Sequence, residues 1–486
     1  MSAFKRKRAD GVSNASKDRQ YHRRRVRAAR PFRGGAARRF KTPDQRIDEI
    51  AARVFGFAIT PHLRVVVPPT QDLSTFAIEN AITAFDDNGH PIFARPEHEF
   101  EIVKDNGLYV DIVWKVNSKR NTFLRGAIQT AHTISLYKLA LNILEKLRHR
   151  RRSHDDIRSS ATLLSGREHK NGQMYLNGTL DGRKVVLKTS HHHKTQLTYI
   201  LEAVIHLLLM CKTPSYVPEL MRVSIDTSDQ LVICSEQIMD MPTAFSWIST
   251  LNDRPQMTNV NLKLWHMLKS FCNGLHQLQT RAGFTHRDSH ASNVYYRDPS
   301  GGRDAKITFI DFDFSSIRHG NTKICVPQAL YDTSRESYTQ NKSVDMCIFL
   351  FTVNGTISKT LAARGQKFIA HILTPLMTQY QIEVKKELLK TERPFREAKL
   401  AHKASPEDQE LKRRFIIAKR KKYAALDIIS LCTGNGGRFS LFNGIRNLPK
   451  EKQLEFPYLM GFFEWKSMTP LSVMKLLDQN YNLMKE

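Results

Sequence analysis

Two acidic residues and one amide, close together in the chain, have side chains suited to phosphate chemistry assisted by metal ions. Asp288 and Asn293 lie five residues apart, and Asp311 follows Asn293 by 18 residues, directly after the apolar segment 307–310. Mg²⁺ prefers oxygen ligands of this kind, and phosphoryl transfer depends on positioning and on neutralising phosphate charge. A single Asp or Asn more often caps a turn, but three at this spacing favour a common site.

These residues stand in two short motifs. The letters H-R-D occupy 286–288, four residues separate them from Asn293, and D-F-D occupies 311–313. The pair resembles the catalytic loop and the metal-binding motif of the protein kinase superfamily. The resemblance implies ATP and Mg²⁺ as cofactors: Asp311 would chelate the Mg²⁺ that bridges the phosphates, and Asn293 would hold a second ion. It also implies that Asp288 orients the acceptor hydroxyl and takes its proton.

Two upstream residues are similar to further parts of a kinase site. Lys188 ends the apolar segment 185–187 after a turn signal at 181–182, so a hairpin would place it on a strand. Glu202 follows 14 residues later, within an apolar helical pattern. By the resemblance, Lys188 pairs with the ATP phosphates and Glu202 orients that lysine. Two ordinary surface charges are the alternative.

Four residues are candidates for contacts with the nucleotide. Gly166 and Gly172 are the glycines found where the resemblance expects a glycine-rich loop. Because G-x-G-x-x-G is incomplete, this hairpin is either a weak phosphate lid or only a cover for the site. The apolar strand expected at 230–234 leads into a segment that resembles the adenine-binding hinge. Backbone groups of Glu236 and Ile238 are therefore candidates for binding adenine.

The chain departs from the kinase pattern after Asp311. Asp313 replaces the glycine of D-F-G, which predicts a stiffer backbone at this point. No A-P-E triplet follows, and only 34 residues separate Asp311 from Asp345. Asp345 either supports the catalytic loop or lies beside a helix N-cap. With His290 in the loop, the pattern is similar to the haspin-type branch and to some kinases of large DNA viruses.

The order of predicted elements indicates an α+β fold class with the two lobes of a protein kinase-like fold. A small β-rich N-lobe is expected at about 153–240 and a larger helical C-lobe at about 241–486, with a basic helical insertion near 383–423. Before these lie a small α+β unit at 44–152, without recognisable chemistry, and a disordered basic arm at 1–43.

The unit at 44–152 has a pattern of its own. Its periodicity and turn signals predict a helix near 44–55, a strand at 63–67, a β-hairpin with strands at 100–103 and 108–116, and a helix from about 126 to 147.

Composition limits the classes of protein and of partner. A 41% hydrophobic share excludes a wholly disordered or fibrous chain, and 75 Lys and Arg against 47 Asp and Glu give a net charge of +28. Fifteen of these cations and only two Asp lie in the first 41 residues, a net +13. Such an excess of positive charge indicates polyanionic binding partners. The arm is therefore expected to bind nucleic acid or an acidic partner.

The cysteines and the apolar segments indicate the compartment. Six scattered cysteines without a C-x-x-C pair argue against a disulfide framework or a zinc knuckle and fit a reducing environment. No apolar segment reaches the about 20 residues that a bilayer requires, and no signal peptide follows the basic start. We expect an intracellular protein, cytoplasmic or nuclear, without a membrane span and virion-associated if viral. The basic cluster at 5–8 is typical of nuclear import signals.

Together these observations predict an ATP/Mg²⁺-dependent protein kinase that phosphorylates Ser/Thr hydroxyls of protein substrates. One alternative is a pseudokinase, a basic scaffold that binds nucleic acid or a partner protein. The other is a small-molecule phosphotransferase on the same fold. The sequence carries no signal for the oligomeric state.

Overall fold

The structure is a computed structural model, and the part of the chain that it describes is given by residue number. These residues are 41–67, 82–85, 91–93, 99–105, 109–115, 131–150, 162–168, 173–190, 193–226, 228–299, 304–326, 343–357, 359–412, 414–415, 418–419, 422 and 468–485. The chain separates into the units Met1–Pro43 and Asp44–Glu486. Nearly all of the predicted basic arm lies outside the described residues.

The N-terminal part of the second unit combines helices with two pairs of short strands. Its elements are α1 (Pro43–Val54), α2 (Thr60–Leu63), β1 (Ile82–Phe85), β2 (Pro91–Phe93), β3 (Glu99–Asp105), β4 (Tyr109–Lys115) and α3 (Ala131–Arg150). Strand β1 pairs antiparallel with β2, and β3 pairs antiparallel with β4. The predicted hairpin is confirmed, as are the helix near 44–55 and, over its described residues, the helix that ends beyond 147.

The strand predicted at 63–67 is wrong, because helix α2 ends in that region. Pro61 fits the first turn of a helix, where its missing N–H is not needed. Asp48 Oδ1 accepts hydrogen bonds from the N–H groups of Ile59 and Thr60, both at 2.9 Å. Satisfying these free N–H groups stabilises the helical turn, and this local capping outweighs the β-propensity of the valines that follow.

A five-stranded antiparallel sheet carries the lysine of the candidate site. Its strands are β5 (Thr162–Glu168), β6 (Gln173–Leu180), β7 (Arg183–Ser190), β8 (Leu220–Ile225) and β9 (Leu231–Glu236). Their spatial order is β5-β6-β7-β9-β8. The turn between β6 and β7 holds Asp181 and Gly182 at φ +50° and +75°, a left-handed conformation that glycine adopts readily. This turn sets the register that places Lys188 on β7.

Helix α4 (His193–Lys212) follows β7 and packs against the sheet. Its apolar side chains between Leu197 and Leu209 are almost fully buried. They belong to one hydrophobic core that also includes residues of α1, α3 and the helices of the C-terminal half. Position 202 on α4 is thereby held at a fixed distance from β7.

The C-terminal half is mainly helical. Its helices are α5 (Ala244–Asp253), α6 (Val260–Ala282), α7 (Val344–Thr356), α8 (Lys359–Arg364), α9 (Gln366–Phe368), α10 (Thr374–Ala404), α11 (Pro470–Gln479) and α12 (Tyr481–Lys485). Its strands are β10 (Val294–Arg297), β11 (Lys306–Phe309), β12 (Ser316–His319) and β13 (Thr322–Cys325). Strand β10 pairs antiparallel with β11, and β12 with β13. A π-helical turn joins α9 to α10.

Helix α6 is the central buried element of this half. The ring of Phe271 stacks on Phe349 of α7 with centroids 3.6 Å apart. Gly274 allows β11 to approach closely, since a Cβ there would lie 2.6 Å from Ile307. Gly283, at φ +57°, ends α6 as a left-handed C-cap. The chain therefore leaves α6 beside Arg318 of β12 and enters the segment that contains the H-R-D motif.

The predicted α+β class is confirmed by this mixture of a small sheet, short strand pairs and helices, while the arrangement in two lobes stays a prediction. The basic segment near 383–423 is helical along α10, and its description as an insertion also stays a prediction. Within the described residues, no helix is both long and apolar enough to cross a membrane.

Candidate active site

Lys188 joins two acidic side chains from distant parts of the chain. Its Nζ lies 2.8 Å from Glu202 Oε2 on α4 and 3.2 Å from Asp311 Oδ1. Lys188 and Glu202 are both only 8% exposed. The ring centroid of Tyr199 lies 4.3 Å from the same Nζ, a cation–π contact. The structure thus brings together the lysine and glutamate that the sequence paired and adds Asp311 to them.

The buried lysine controls the charge of Asp311. Burial alone acts to raise the pKa of this carboxyl group, but attraction and a hydrogen bond from Lys188 outweigh it and lower the pKa below its ordinary value. Asp311 is therefore ionised at neutral pH. An ionised carboxylate beside a lysine is the charge state that a divalent cation and a phosphate require.

Asp288 and Asn293 lie next to each other in the loop that contains the H-R-D motif. Asn293 Nδ2 donates to the main-chain oxygen of Asp288 at 3.0 Å and to its Oδ2 at 3.1 Å. The N–H of Ile310 donates to the Asn293 carbonyl at 3.1 Å, which ties the loop to the residue before Asp311. Burial and then the nearby charge of Asp311 raise the pKa of Asp288 well above its ordinary value. A carboxylate with a raised pKa is a better proton acceptor.

Asp345 at the start of α7 supports the loop from below. Its two carboxylate oxygens accept hydrogen bonds from the main-chain N–H groups of His286, at 2.9 Å, and Arg287, at 2.6 Å. Ser289 Oγ donates to its main-chain carbonyl at 2.7 Å. Burial raises the pKa of Asp345 to about 6. Of the two roles considered for Asp345, the contacts favour support of the loop.

Two residues of the site have left-handed backbone conformations without being glycine. Arg287 has φ +66° and Asp311 has φ +63°. Such residues cost about 1–3 kcal/mol and persist only where the surroundings fix them. At Arg287 the Asp345 hydrogen bonds supply that restraint, and at Asp311 the contact with Lys188 does.

His286 is a buried structural residue of the H-R-D motif. Its Nε2 lies 2.9 Å from the carbonyl of Ile310, and its ring lies between Phe309 and Phe312. Burial lowers the pKa of His286 to about 4, so the ring is neutral at pH 7. His286 therefore links the loop of the H-R-D motif to the segment of Asp311 by packing and one hydrogen bond.

Asp313 faces the same site as Asp288 and Asp311. Each of the three offers one carboxylate oxygen, and these oxygens all lie within 4.8 Å of one another. Asp313 Oδ1 is buried and has no hydrogen-bond partner among the described residues. From the sequence, Asp313 was expected only to stiffen the backbone in place of a glycine, and a role for its side chain was not predicted. The signal that was available is the D-x-D spacing directly after a buried strand.

The sheet register brings Gly166 close to the lysine. Gly166 on β5 lies opposite Leu176 on β6, and Leu176 lies opposite Leu187 on β7. Gly166 is therefore in the row next to that of Lys188, two strands away. Gly172 lies outside the described residues, so the turn of the predicted lid does as well.

The hinge candidates follow the end of β9. Glu236 is opposite Val185 on β7, and its N–H donates to the carbonyl of Glu219 at 2.8 Å. That donor is engaged within the sheet, which leaves the Glu236 carbonyl as its candidate group. Ile238 is half-buried two residues beyond β9. Glu236 therefore lies at the end of β9 beside the start of β7, and Ile238 follows it.

Comparison with known proteins gives little direct support. No protein-family model and no curated protein matches the chain. Among solved structures, the chain is similar to one described as WaaP in complex with acyl carrier protein, with 13% identity over 48% of this chain and 85% of that chain and a TM-score of 0.27. It is also similar to the BubR1 kinase domain, with 18% identity over 32% and 46% and a TM-score of 0.26. Similarities with TM-scores this low are not evidence for a shared function.

Proposed function

We propose that the chain is a phosphotransferase that uses ATP and Mg²⁺ to phosphorylate Ser/Thr hydroxyls of protein substrates. The observation that carries this proposal is the buried Lys188 ammonium group shared by Glu202 and Asp311. A buried charge is costly unless it is paired, and this pairing fixes one cation at the edge of an acidic cluster. Phosphoryl transfer needs that arrangement of fixed positive charge beside metal ligands.

The residues present fit the proposed roles. Asp311 and Asn293 would hold Mg²⁺ through oxygen atoms, and Mg²⁺ when bound neutralises charge on the phosphates. Lys188 binds phosphate oxygens while Glu202 keeps it in place. Asp288 orients the acceptor hydroxyl and accepts its proton as the oxygen bonds to the γ-phosphorus and the bond to ADP breaks. The Asp345 hydrogen bonds hold the loop in the conformation that this requires.

A small-molecule acceptor is the second candidate, and the segment after Asp311 favours it. Strands β12 and β13 take up 316–325, and β12 is tied back to the loop by two hydrogen bonds of 2.9 Å between Thr285 and Ser316. Only residues 326–343 then remain before α7. A short segment offers less surface for docking a peptide than the usual kinase arrangement.

The basic arm at 1–43 is proposed to bind nucleic acid or an acidic partner. Its net charge supports this proposal, because binding through released counterions depends on the number of phosphates neutralised. Affinity for DNA should fall steeply with salt and should drop when residues 1–43 are removed. Equal affinity of the shortened and full-length chains would contradict the proposal.

The decisive experiment is transfer of labelled γ-phosphate from ATP/Mg²⁺ to the protein itself and to panels of basic and acidic proteins and of small hydroxyl compounds. Asp288→Ala is the control for background transfer. Label on Ser or Thr that is lost in the control supports the protein kinase. Label only on small compounds selects the second candidate, and ATP binding without transfer selects the pseudokinase.

A further inference from the structure

We propose that Asp313 is an additional carboxylate ligand of the divalent cation in this site, so that the protein binds the cation before any nucleotide is present. The inference rests on the proposed phosphotransferase function and assigns a role to a residue that the kinase resemblance leaves without one. Where D-F-G has a glycine, this chain carries a carboxylate that points into the acidic cluster.

The distances among the three carboxylates fit one cation. Ligand oxygens around an octahedral Mg²⁺ or Mn²⁺ at bond lengths of about 2.1 Å are about 3 to 4 Å apart. Oxygens of Asp288, Asp311 and Asp313 all lie within 4.8 Å of one another. A small side-chain rotation closes that difference. The three carboxylates can therefore bind a single ion without rearrangement of the backbone.

The unpaired oxygen of Asp313 is the second observation. Oδ1 is buried and accepts no hydrogen bond from any described residue. Burying a polar oxygen without a partner costs free energy, and a cation at the centre of the cluster would remove that cost. The side chain that carries this unpaired oxygen is also the one whose carboxylate lies within 4.8 Å of those of Asp288 and Asp311.

The ammonium group of the cluster is already engaged by other carboxylates. Lys188 is shared between Glu202 and Asp311, and no ion pair within the described part of the chain reaches Asp313. A divalent cation would give the Asp313 carboxylate a positively charged partner.

The inference predicts how binding differs from that of a site without the third carboxylate. Mg²⁺ is usually held by one or two carboxylates and completes its coordination with substrate phosphates. With a third carboxylate the protein supplies most of the charge itself. Nucleotide-free binding should then be measurable, and it should depend on Asp313.

The test uses Mn²⁺ as the probe, because the free ion gives an electron paramagnetic resonance signal that is lost on binding. Full-length wild-type protein, Asp313→Asn and Asp313→Gly are titrated without nucleotide, with the exposed Asp304→Asn as the matched control. Both Asp313 variants should bind Mn²⁺ about tenfold more weakly or worse, and the control should match the wild type. Thermal unfolding of each variant checks that it is folded. Saturating ATP should restore much of the lost affinity.

Each other outcome has a definite meaning. If both Asp313 variants keep wild-type affinity while Asp311→Asn loses it, Asp313 is not a ligand and the phosphotransferase proposal stands. If the wild type binds Mn²⁺ only together with ATP, the inference is likewise overturned. If the wild type binds Mn²⁺ neither with nor without ATP, the proposed function itself fails.

Discussion

The candidate active site and the N-terminal helices α1 and α3 are both packed on the same core, yet they use buried polar groups in opposite ways. In the active site several carboxylates converge around one lysine, and two residues stand in left-handed conformations. In the N-terminal helices the buried His132 and Ser135 are each hydrogen-bonded to a main-chain group that is distant in sequence. The comparison indicates that the first region concentrates carboxylates that repel one another. The polar contacts of the second region hold separate elements of the fold together.

The N-terminal links are specific. His132 on α3 has its Nε2 2.6 Å from the carbonyl of Lys323 on β13, and Ser135 Oγ accepts from the N–H of Val67 at 3.1 Å. Burial lowers the pKa of His132 to about 4, so it is neutral at pH 7. No acidic cluster within the described residues lies among these links. Changes here should therefore affect unfolding and leave the chemistry intact.

The largest effect is expected for Asp311→Asn. Asparagine tolerates the left-handed backbone, so the substitution removes the charge and keeps the conformation. Turnover should fall by roughly 10³-fold, measured as transfer of labelled phosphate, while the free energy of unfolding changes little. Asp304→Asn is the control. Turnover close to that of the wild type would remove the active-site assignment.

A smaller effect, on stability as well as activity, is expected for Asp345→Asn. One of the two backbone N–H groups would then face an NH₂ group instead of a carboxylate oxygen. Losing a buried charge-assisted hydrogen bond should lower the free energy of unfolding by about 2–3 kcal/mol, measured by urea denaturation. Unchanged stability would show that the loop does not depend on Asp345.

The next prediction is the pH dependence of turnover, which concerns the candidate active site alone. Burial raises the pKa of Asp288, and burial raises that of Asp345 to about 6. Both groups change from carboxylate to neutral carboxylic acid as the pH falls through their raised pKa values. Turnover should therefore decline on the acid side about tenfold per pH unit, beginning above the ordinary range of an aspartate. An acid limb at the ordinary aspartate pKa would contradict this, with ATP affinity measured at each pH as the control.

The smallest effect is expected for His132→Phe in the N-terminal region. The ring shape is kept and the hydrogen bond to the Lys323 carbonyl is lost, which should cost about 1 kcal/mol of stability and shift the urea midpoint. Turnover under native conditions should stay within about twofold. A large loss of turnover without loss of stability would contradict this prediction. It would show that the N-terminal helices contribute to activity.

The residues proposed to act in catalysis could be identified from the sequence because they lie in short motifs. Asp288 and Asn293 share one loop, and Lys188 and Glu202 are joined by a strand, a turn and a helix. Their positions are set by local structure that periodicity and turn signals predict. The contact of Lys188 with Asp311 was not predicted, because it joins distant parts of the chain.

Other features depend on contacts that no pattern encodes. The direction of the Asp313 side chain depends on the backbone after Asp311, and the docking of α3 against α4 depends on which apolar faces of the two helices meet. An amphipathic helix indicates that a face is buried but not what it is buried against. At 63–67 the β-branched valines predicted a strand, whereas the structure ends helix α2 at Leu63 and continues in a turn.

The two left-handed residues have a consequence for how relatives of this protein should be read. At positions 287 and 311 the backbone itself favours Gly, Asn and Asp, and most other residues add about 1–2 kcal/mol of strain. The backbone conformation alone therefore limits which residue types these two positions tolerate, apart from any role in catalysis. An aspartate retained at the position of Asp311 in a homologue is thus weaker evidence of activity than a lysine retained at that of Lys188.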